Sequence, residues 1–146
     1  MANTSAMCTS FKQEILVATH NFTASTGNTF KIALYDSDAT LGASTTAYST
    51  SEEITNTSGT AYTAGGATLT SVTPTTSGTR AYCDFSPDIS WTSASFTANA
   101  ALIYNSSASN KAVAAIAFGG DKTVTNGTFT IQFPTADASD AIIRIA

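Results

Sequence analysis

Apolar and polar positions alternate along three short segments of the chain, residues 30–35, 80–85 and 128–133. A period of two predicts β-strands that turn one face to a core and the other to water. Residues 101–104 and 112–118 are instead nearly continuous apolar runs, which is typical of strands covered on both faces. Pro, Gly, Asn and Ser separate these segments, and their spacing predicts roughly seven to nine strands.

One segment near the start of the chain has the period of a helix. Ser10, followed three residues later by Gln13, matches a capping box, so we expect a short amphipathic helix over Phe11 to His20. Residues 1–9 have no apolar period and are expected to form a loose arm. The apolar positions on one face of the predicted helix are Phe11, Ile15, Ala18 and Phe22.

These patterns predict an all-β fold, a single β-sandwich that is jelly-roll-like and carries one short N-terminal helix. Residues 1–22 are expected to form the arm and helix, and residues 23–146 the β-sandwich domain. Residues 58–67, with three glycines, are expected to be a loop. The predicted core comprises Phe30, Ile32, Leu34, Phe85, Trp91, Leu102, Ile116, Phe129, Ile131 and Phe133.

The composition narrows the classes of partner. Ser and Thr make up about a third of the 146 residues, only 11% are charged, and the net charge is −4. With 6 Lys and Arg in the whole chain there is no basic stripe to neutralise phosphates, so nucleic acid is not an expected partner. No apolar run reaches the length of a membrane helix and no signal peptide is visible, so synthesis in a cytoplasm is expected.

Candidate chemistry is sparse. His20 is the only histidine, and the pattern favours a helix-terminus role because no serine-hydrolase signature accompanies it. Asp36-Ser37-Asp38 begins like a calcium loop, but Thr40 and Leu41 stand where such a loop needs a ligand and a glycine. We therefore expect no catalytic residue, no cofactor and no metal site, and a protein that is not an enzyme.

Two weaker possibilities stay open. A disulfide between Cys8 and Cys83 is possible, but the expected compartment disfavours it. The aromatic residues could form a sugar-stacking platform if they shared one exposed face, although aromatics in strands are more often core or subunit contacts. These aromatics are Trp91, Tyr35, Tyr48, Tyr62, Tyr82 and Tyr104.

A set of longer segments resembles a known class of proteins. The segments are SFKQEILVATHNF, FKIALYDSDATLGASTTAY, GTAYTAGGATL, DISWTSASFTANAALIYN and FGGDKTVTNGTFTIQFPTADASDAIIRIA. Together they are similar to small virion structural proteins of tailed bacteriophages, and the similarity runs from Ser10 to Ala146. None of these motifs is catalytic.

This resemblance implies a particle component, most simply a capsid decoration or cement protein that binds and stabilises the outer surface of the head. The alternative is a tail, baseplate or fibre component that acts as an adaptor or a receptor-binding, carbohydrate-binding module. The implied partners are the phage major capsid protein and further copies of the chain in a homotrimer, with no nucleic acid and no membrane. The implied location is the virion, after synthesis in the host cytoplasm. Phe11, Ile15 and Phe22 are the expected partner-binding residues.

Overall fold

The computed structural model describes residues 2–55 and 61–146. Of the chain, 47% is strand and 6% helix, and antiparallel sheets pack as a sandwich-like arrangement, which confirms the predicted all-β class with one short N-terminal helix. The described elements, in chain order, are β1 (Ala6–Met7), α1 (Thr9–Leu16), β2 (Phe30–Tyr35), β3 (Ala67–Thr68), β4 (Ser71–Ser77), β5 (Arg80–Phe85), β6 (Ile89–Asn105), β7 (Lys111–Ile131) and β8 (Ile143–Ile145).

The larger sheet is built around the long hairpin of β6 and β7, in the order β1-β7-β6-β2-β3. The hairpin pairs from Asn105 opposite Lys111 at the turn to Ile89 opposite Ile131 at its far end. Strand β2 pairs with residues 100–105 of β6, which explains why that half of β6 is apolar on both faces. The Gly65-Gly66 turn brings β3 against β2, and a Cβ on Gly66 would overlap the Ile32 carbonyl oxygen.

The smaller sheet contains three antiparallel strands in the order β4-β5-β8. Its β5 strand places Ala81 and Cys83 on one face and Arg80 and Tyr82 on the other, but burial does not alternate as expected, because Ala81 is exposed and Asp84 is buried. At the end of β5, the Phe85 ring lies 5.8 Å from the Phe30 ring of β2 between ring centroids. That contact joins the two sheets across the core.

The N-terminal segment is packed and not loose over residues 2–9, which corrects the expectation of a loose arm there, and Met1 lies outside the described residues. Ala6 and Met7 pair with β7, and the Cys8 amide donates to the Val113 carbonyl at 3.0 Å. The predicted capping box does not form, because Cys8 is the N-cap residue and makes no side-chain capping bond. In the described chain the buried Ser10 hydroxyl has no hydrogen-bond partner.

The helix is also shorter than predicted. It ends at Leu16, and Ala18 adopts a left-handed backbone with φ of 60°. The chain then turns inwards and buries His20 and Phe22 against β2 and β6. The apolar stripe expected to continue along a helix is therefore completed by a non-helical segment. Among the described residues, no helix has the length and apolar character needed to span a bilayer.

Six of the ten predicted core residues are confirmed as buried: Phe30, Ile32, Leu34, Phe85, Trp91 and Leu102. The other four, Ile116, Phe129, Ile131 and Phe133, pack against the core but are only partly buried. Residues 89–98 and 122–131 form a ribbon of two strands, and no third described strand pairs with it. Phe129 and Ile131 on this ribbon therefore keep part of their surface in water, although Trp91 of the neighbouring strand is buried. Of the predicted loop at residues 58–67, residues 58–60 lie outside the described part of the chain.

Candidate functional site

An apolar crevice of about 190 Å³ opens between α1 and the inner face of the smaller sheet. Helix α1 has only eight residues and packs on β7, so it leaves part of that face uncovered. The crevice is lined by Phe11, Ile15, His20, Phe22, Pro74, Ala81, Tyr82, Cys83, Ile143 and Ile145. Its walls are almost entirely apolar, which suits an apolar side chain from a partner better than a charged ligand.

All three residues expected to bind a partner, Phe11, Ile15 and Phe22, meet at this crevice. Their exposure differs from the expectation of an open helical face, however. Phe11 is fully buried, and its ring packs edge-on against that of Phe22, 6.0 Å away between centroids. These two rings belong to the core and form the inner wall, whereas Ile15 is only partly buried. Their partner-binding role stays a prediction, and the burial restricts it to the crevice.

The sequence patterns did not indicate which large apolar side chains are exposed. Leu16 is 84% exposed, Val17 69% and Ile145 54%. Leu16 and Val17 directly follow Ile15 in the chain, and Ile145 lines the crevice. We call these four residues the apolar rim. Leu16 and Val17 could have indicated this surface from the sequence. They are adjacent apolar residues outside the predicted apolar face of the helix, where an amphipathic helix normally has polar residues.

The crevice contains one thiol that is held uncharged. Burial, together with the nearby Asp84 carboxylate, raises the pKa of Cys83 to about 12. Burial likewise raises the pKa of Cys8. Both cysteines are free, as expected from the disfavoured disulfide. At neutral pH Cys83 is therefore a small apolar wall residue and not a nucleophile.

His20 behind the crevice has both ring nitrogens engaged. The Asn105 side-chain amide donates to Nδ1 at 3.0 Å, so the proton lies on Nε2, which donates to the Glu14 carboxylate at 2.7 Å. Lys111 holds the other Glu14 oxygen at 2.9 Å. Burial acts to raise the pKa of Glu14, but the hydrogen bonds from Lys111 and His20 and the charge of Lys111 outweigh it and hold that pKa below its usual range. This buried network replaces the helix-terminus role expected for His20 and leaves neither ring nitrogen free to act as a base.

An acidic cluster was not foreseen. Ligand oxygens of Asp36, Asp38 and Glu52 lie within 4.8 Å of one another in the described chain. The spacing of residues after Asp36 and Asp38 does not match a calcium loop, and Glu52 lies in a separate turn. The Asp38 amide donates to the Asp36 carboxylate at 2.9 Å, an ordinary turn contact that accounts for their proximity. No function is assigned to this cluster.

The aromatic side chains do not form an exposed platform. Tyr35, Tyr62, Trp91 and Tyr104 are buried, so the requirement for sugar stacking on one exposed face is not met. Several surround a buried carboxylate instead. The hydroxyls of Tyr48 and Tyr62 each donate to Glu53 at 2.6 Å, and the Gly65 amide donates to it at 2.7 Å. This network ties the segment around Glu53 to the larger sheet and is structural.

The comparisons with known proteins add no family. No protein-family model matches the chain, and no match is found among curated proteins or solved structures.

Proposed function

We propose that this protein is a structural component of a tailed-phage virion, a decoration protein that binds the outer surface of the head as a homotrimer. The observation that carries the proposal is the apolar rim beside an apolar crevice on an otherwise hydroxyl-rich sandwich. Leu16, Val17 and Ile145 are large apolar side chains that remain exposed, and exposed apolar surface near an apolar crevice is typical of a contact with another macromolecule. The resemblance of the long sequence segments to small virion proteins supplies the kind of macromolecule.

The surface chemistry supports an exterior position on the particle. With a net charge of −4 the protein would be repelled by packaged nucleic acid and not attracted to it. A surface of Ser and Thr, such as the Ser90–Thr130 and Thr97–Thr123 hydroxyl pairs of the ribbon, remains compatible with water. The crevice then provides the apolar centre that a specific interface needs.

A tail, baseplate or fibre component is the second candidate. It is favoured by a separate apolar groove on the ribbon, lined by Ile116, Phe118, Phe129 and Ile131 together with three polar residues. An adaptor between two neighbours needs two contact surfaces, and this groove would be the second one. Copy number separates the candidates.

The deciding measurement is quantitative mass spectrometry of purified particles. A shell protein follows the symmetry of the head and should be present in roughly hundreds of copies, whereas a tail component should be present in a few to a few dozen. Absence from the particles would refute both candidates.

The docking surface is tested by a point variant and not by truncation. Deleting residues 1–22 would remove the core residues Phe11 and Phe22. A loss of binding to particles would then not distinguish a lost docking surface from an unfolded protein. Leu16→Glu changes an exposed side chain of the rim and should leave the fold intact while abolishing loading onto particles that lack the protein. Thr128→Glu adds the same charge at an exposed position of β7 and should load normally. Equal loading of both variants would exclude the rim as the anchor.

A further inference from the structure

Strand β8 has an open edge. It pairs with β5 on one side, and within the described residues nothing pairs with its other side. An open edge presents unpaired N–H and C=O groups that can bind another extended chain. The strand is short, but it borders the crevice directly through Ile143 and Ile145.

The geometry of the sheet determines where the side chains of an added strand would lie. Ile143 and Ile145 share the inner face with Cys83 and Ala81, their partners in the register. A strand hydrogen-bonded to the open edge would extend this face, and every second side chain would point towards the crevice. Its other side chains would lie on the outer face of the sheet, beside Arg144.

We propose that β8 and the crevice bind an extended segment of a partner chain by strand addition, with apolar residues facing the crevice and acidic residues facing Arg144. This inference rests on the proposed docking function and names the partner's chemistry. The crevice favours apolar side chains at alternate positions of the partner segment, and the open edge favours an extended backbone. The selection of acidic residues comes from the charges on the outer face.

Two arginines stand on that face, Arg80 of β5 and Arg144 of β8. Their guanidinium groups donate to the carbonyls of Ala138 and Ser139. Asp137 lies in the same segment, but its carboxylate already accepts the amides of Ser139 and Asp140. The guanidinium groups therefore keep capacity for an incoming carboxylate, since each has five donors.

A second copy of β8 is a poorer occupant. The antiparallel register that pairs all three residues of two β8 strands places Arg144 opposite Arg144, and directly opposed like charges destabilise a sheet. A segment with carboxylates at these positions replaces that repulsion with attraction. Charge therefore favours a foreign segment over a symmetric pair.

The test uses the isolated full chain and a labelled short peptide that alternates glutamate with leucine and valine, with both peptide ends blocked. Fluorescence anisotropy should show saturable binding, about three- to tenfold weaker for the counterpart with lysine in place of glutamate. Two further peptides carry backbone N-methyl groups at either the odd or the even positions. Because only alternate amides face β8, one should lose about tenfold in affinity while the other binds normally.

Variants of the protein test each part of the site. Ala81→Trp fills the crevice from an exposed position and should weaken binding by at least about tenfold, whereas Thr128→Trp, at an exposed position of β7 away from the crevice, should not change it. Arg144→Glu should reverse the preference, so that the lysine peptide binds more tightly than the glutamate peptide. Thermal unfolding of each variant establishes that the fold is retained.

Several results would overturn the inference. If no peptide binds, Arg144 prevents pairing at the open edge of β8 and does not bind an acidic segment. Equal effects of both N-methylated peptides would exclude strand addition. Self-association that the neutral substitution Arg144→Gln strengthens and Ala81→Trp abolishes would identify a second copy as the occupant. Because binding is measured without particles, failure here leaves the copy-number test of the proposed function untouched.

Discussion

Phe11→Ala separates the structural role of α1 from its docking role. The Phe11 side chain is fully buried although it lies on a short surface helix of a two-sheet protein. Its ring centroid lies 4.9 Å from that of His20 and 6.0 Å from that of Phe22. The substitution therefore removes a ring at the junction of α1 and the non-helical segment that follows it.

The expected magnitude follows from this packing. Truncation of a buried Phe to Ala costs about 3–5 kcal/mol, because transfer energy is lost and a cavity remains. We expect the upper part of this range, since each aromatic pair contributes about 0.5–1.5 kcal/mol beyond its buried area. A domain of this size is stable by about 5–15 kcal/mol, so the loss is a large fraction of the total.

Urea unfolding measures the effect, followed by the fluorescence of the single Trp91 and by far-UV circular dichroism. Trp91 lies on the ribbon and does not contact Phe11, so both signals should report the same shifted midpoint if the chain unfolds as one unit. Leu16→Ala on the same helix is the matched control and should change stability by less than about 0.5 kcal/mol, because Leu16 is exposed. A cost below about 1 kcal/mol for Phe11→Ala would refute the placement of α1 in the core.

Three further predictions concern other parts of the fold. Tyr62→Phe should lower the free energy of unfolding in urea by about 1.5–3 kcal/mol, because a buried hydrogen bond to the Glu53 carboxylate is lost. Tyr48→Phe should lower it less, because Tyr48 is partly exposed. A larger loss for Tyr48→Phe than for Tyr62→Phe would contradict the structural role of this hydrogen-bond network. Burial raises the pKa of Asp84, so its ionisation opposes folding as pH rises. Asp84→Asn should therefore gain stability relative to the parent as the pH rises above about 4, until Asp84 of the folded parent is ionised; a difference in stability that does not change with pH would argue against this. Phe129→Ala should cost less than Phe11→Ala, since Phe129 is only partly buried; an equal loss of stability would mean that the ribbon is covered in solution.

Local pattern was enough to predict where strands occur and much of the core, but it divided residues 112–118 from residues 128–133, and the structure joins the first run to residues 128–131 in the single strand β7. Phe30, Ile32 and Leu34 are every second residue of β2, and all three are buried as expected. The alternation of residues 128–133 was as clear, yet Phe129 and Ile131 remain partly exposed. A period of two identifies which face of a strand is apolar, but the neighbouring strand or sheet decides whether that face is covered.

The candidate site shows the same division. The sequence grouped Phe11, Ile15 and Phe22 on one face, and the fold does bring them together. It did not indicate that β8 would supply the opposite wall, because Phe11 and Ile145 are more than a hundred positions apart and no local pattern encodes their contact.

The sequence by itself determined the all-β class, the short N-terminal helix and a weakly charged, hydroxyl-rich surface, because these depend on residue type and on spacing of a few positions. Only the tertiary structure decided that the N-terminal segment pairs with β7, that His20 is locked between Glu14 and Asn105, and that a crevice opens beside the free edge of β8. Those features depend on contacts between distant parts of the chain. Such contacts form only where the packing of whole elements outweighs the entropy lost in closing the loops between them.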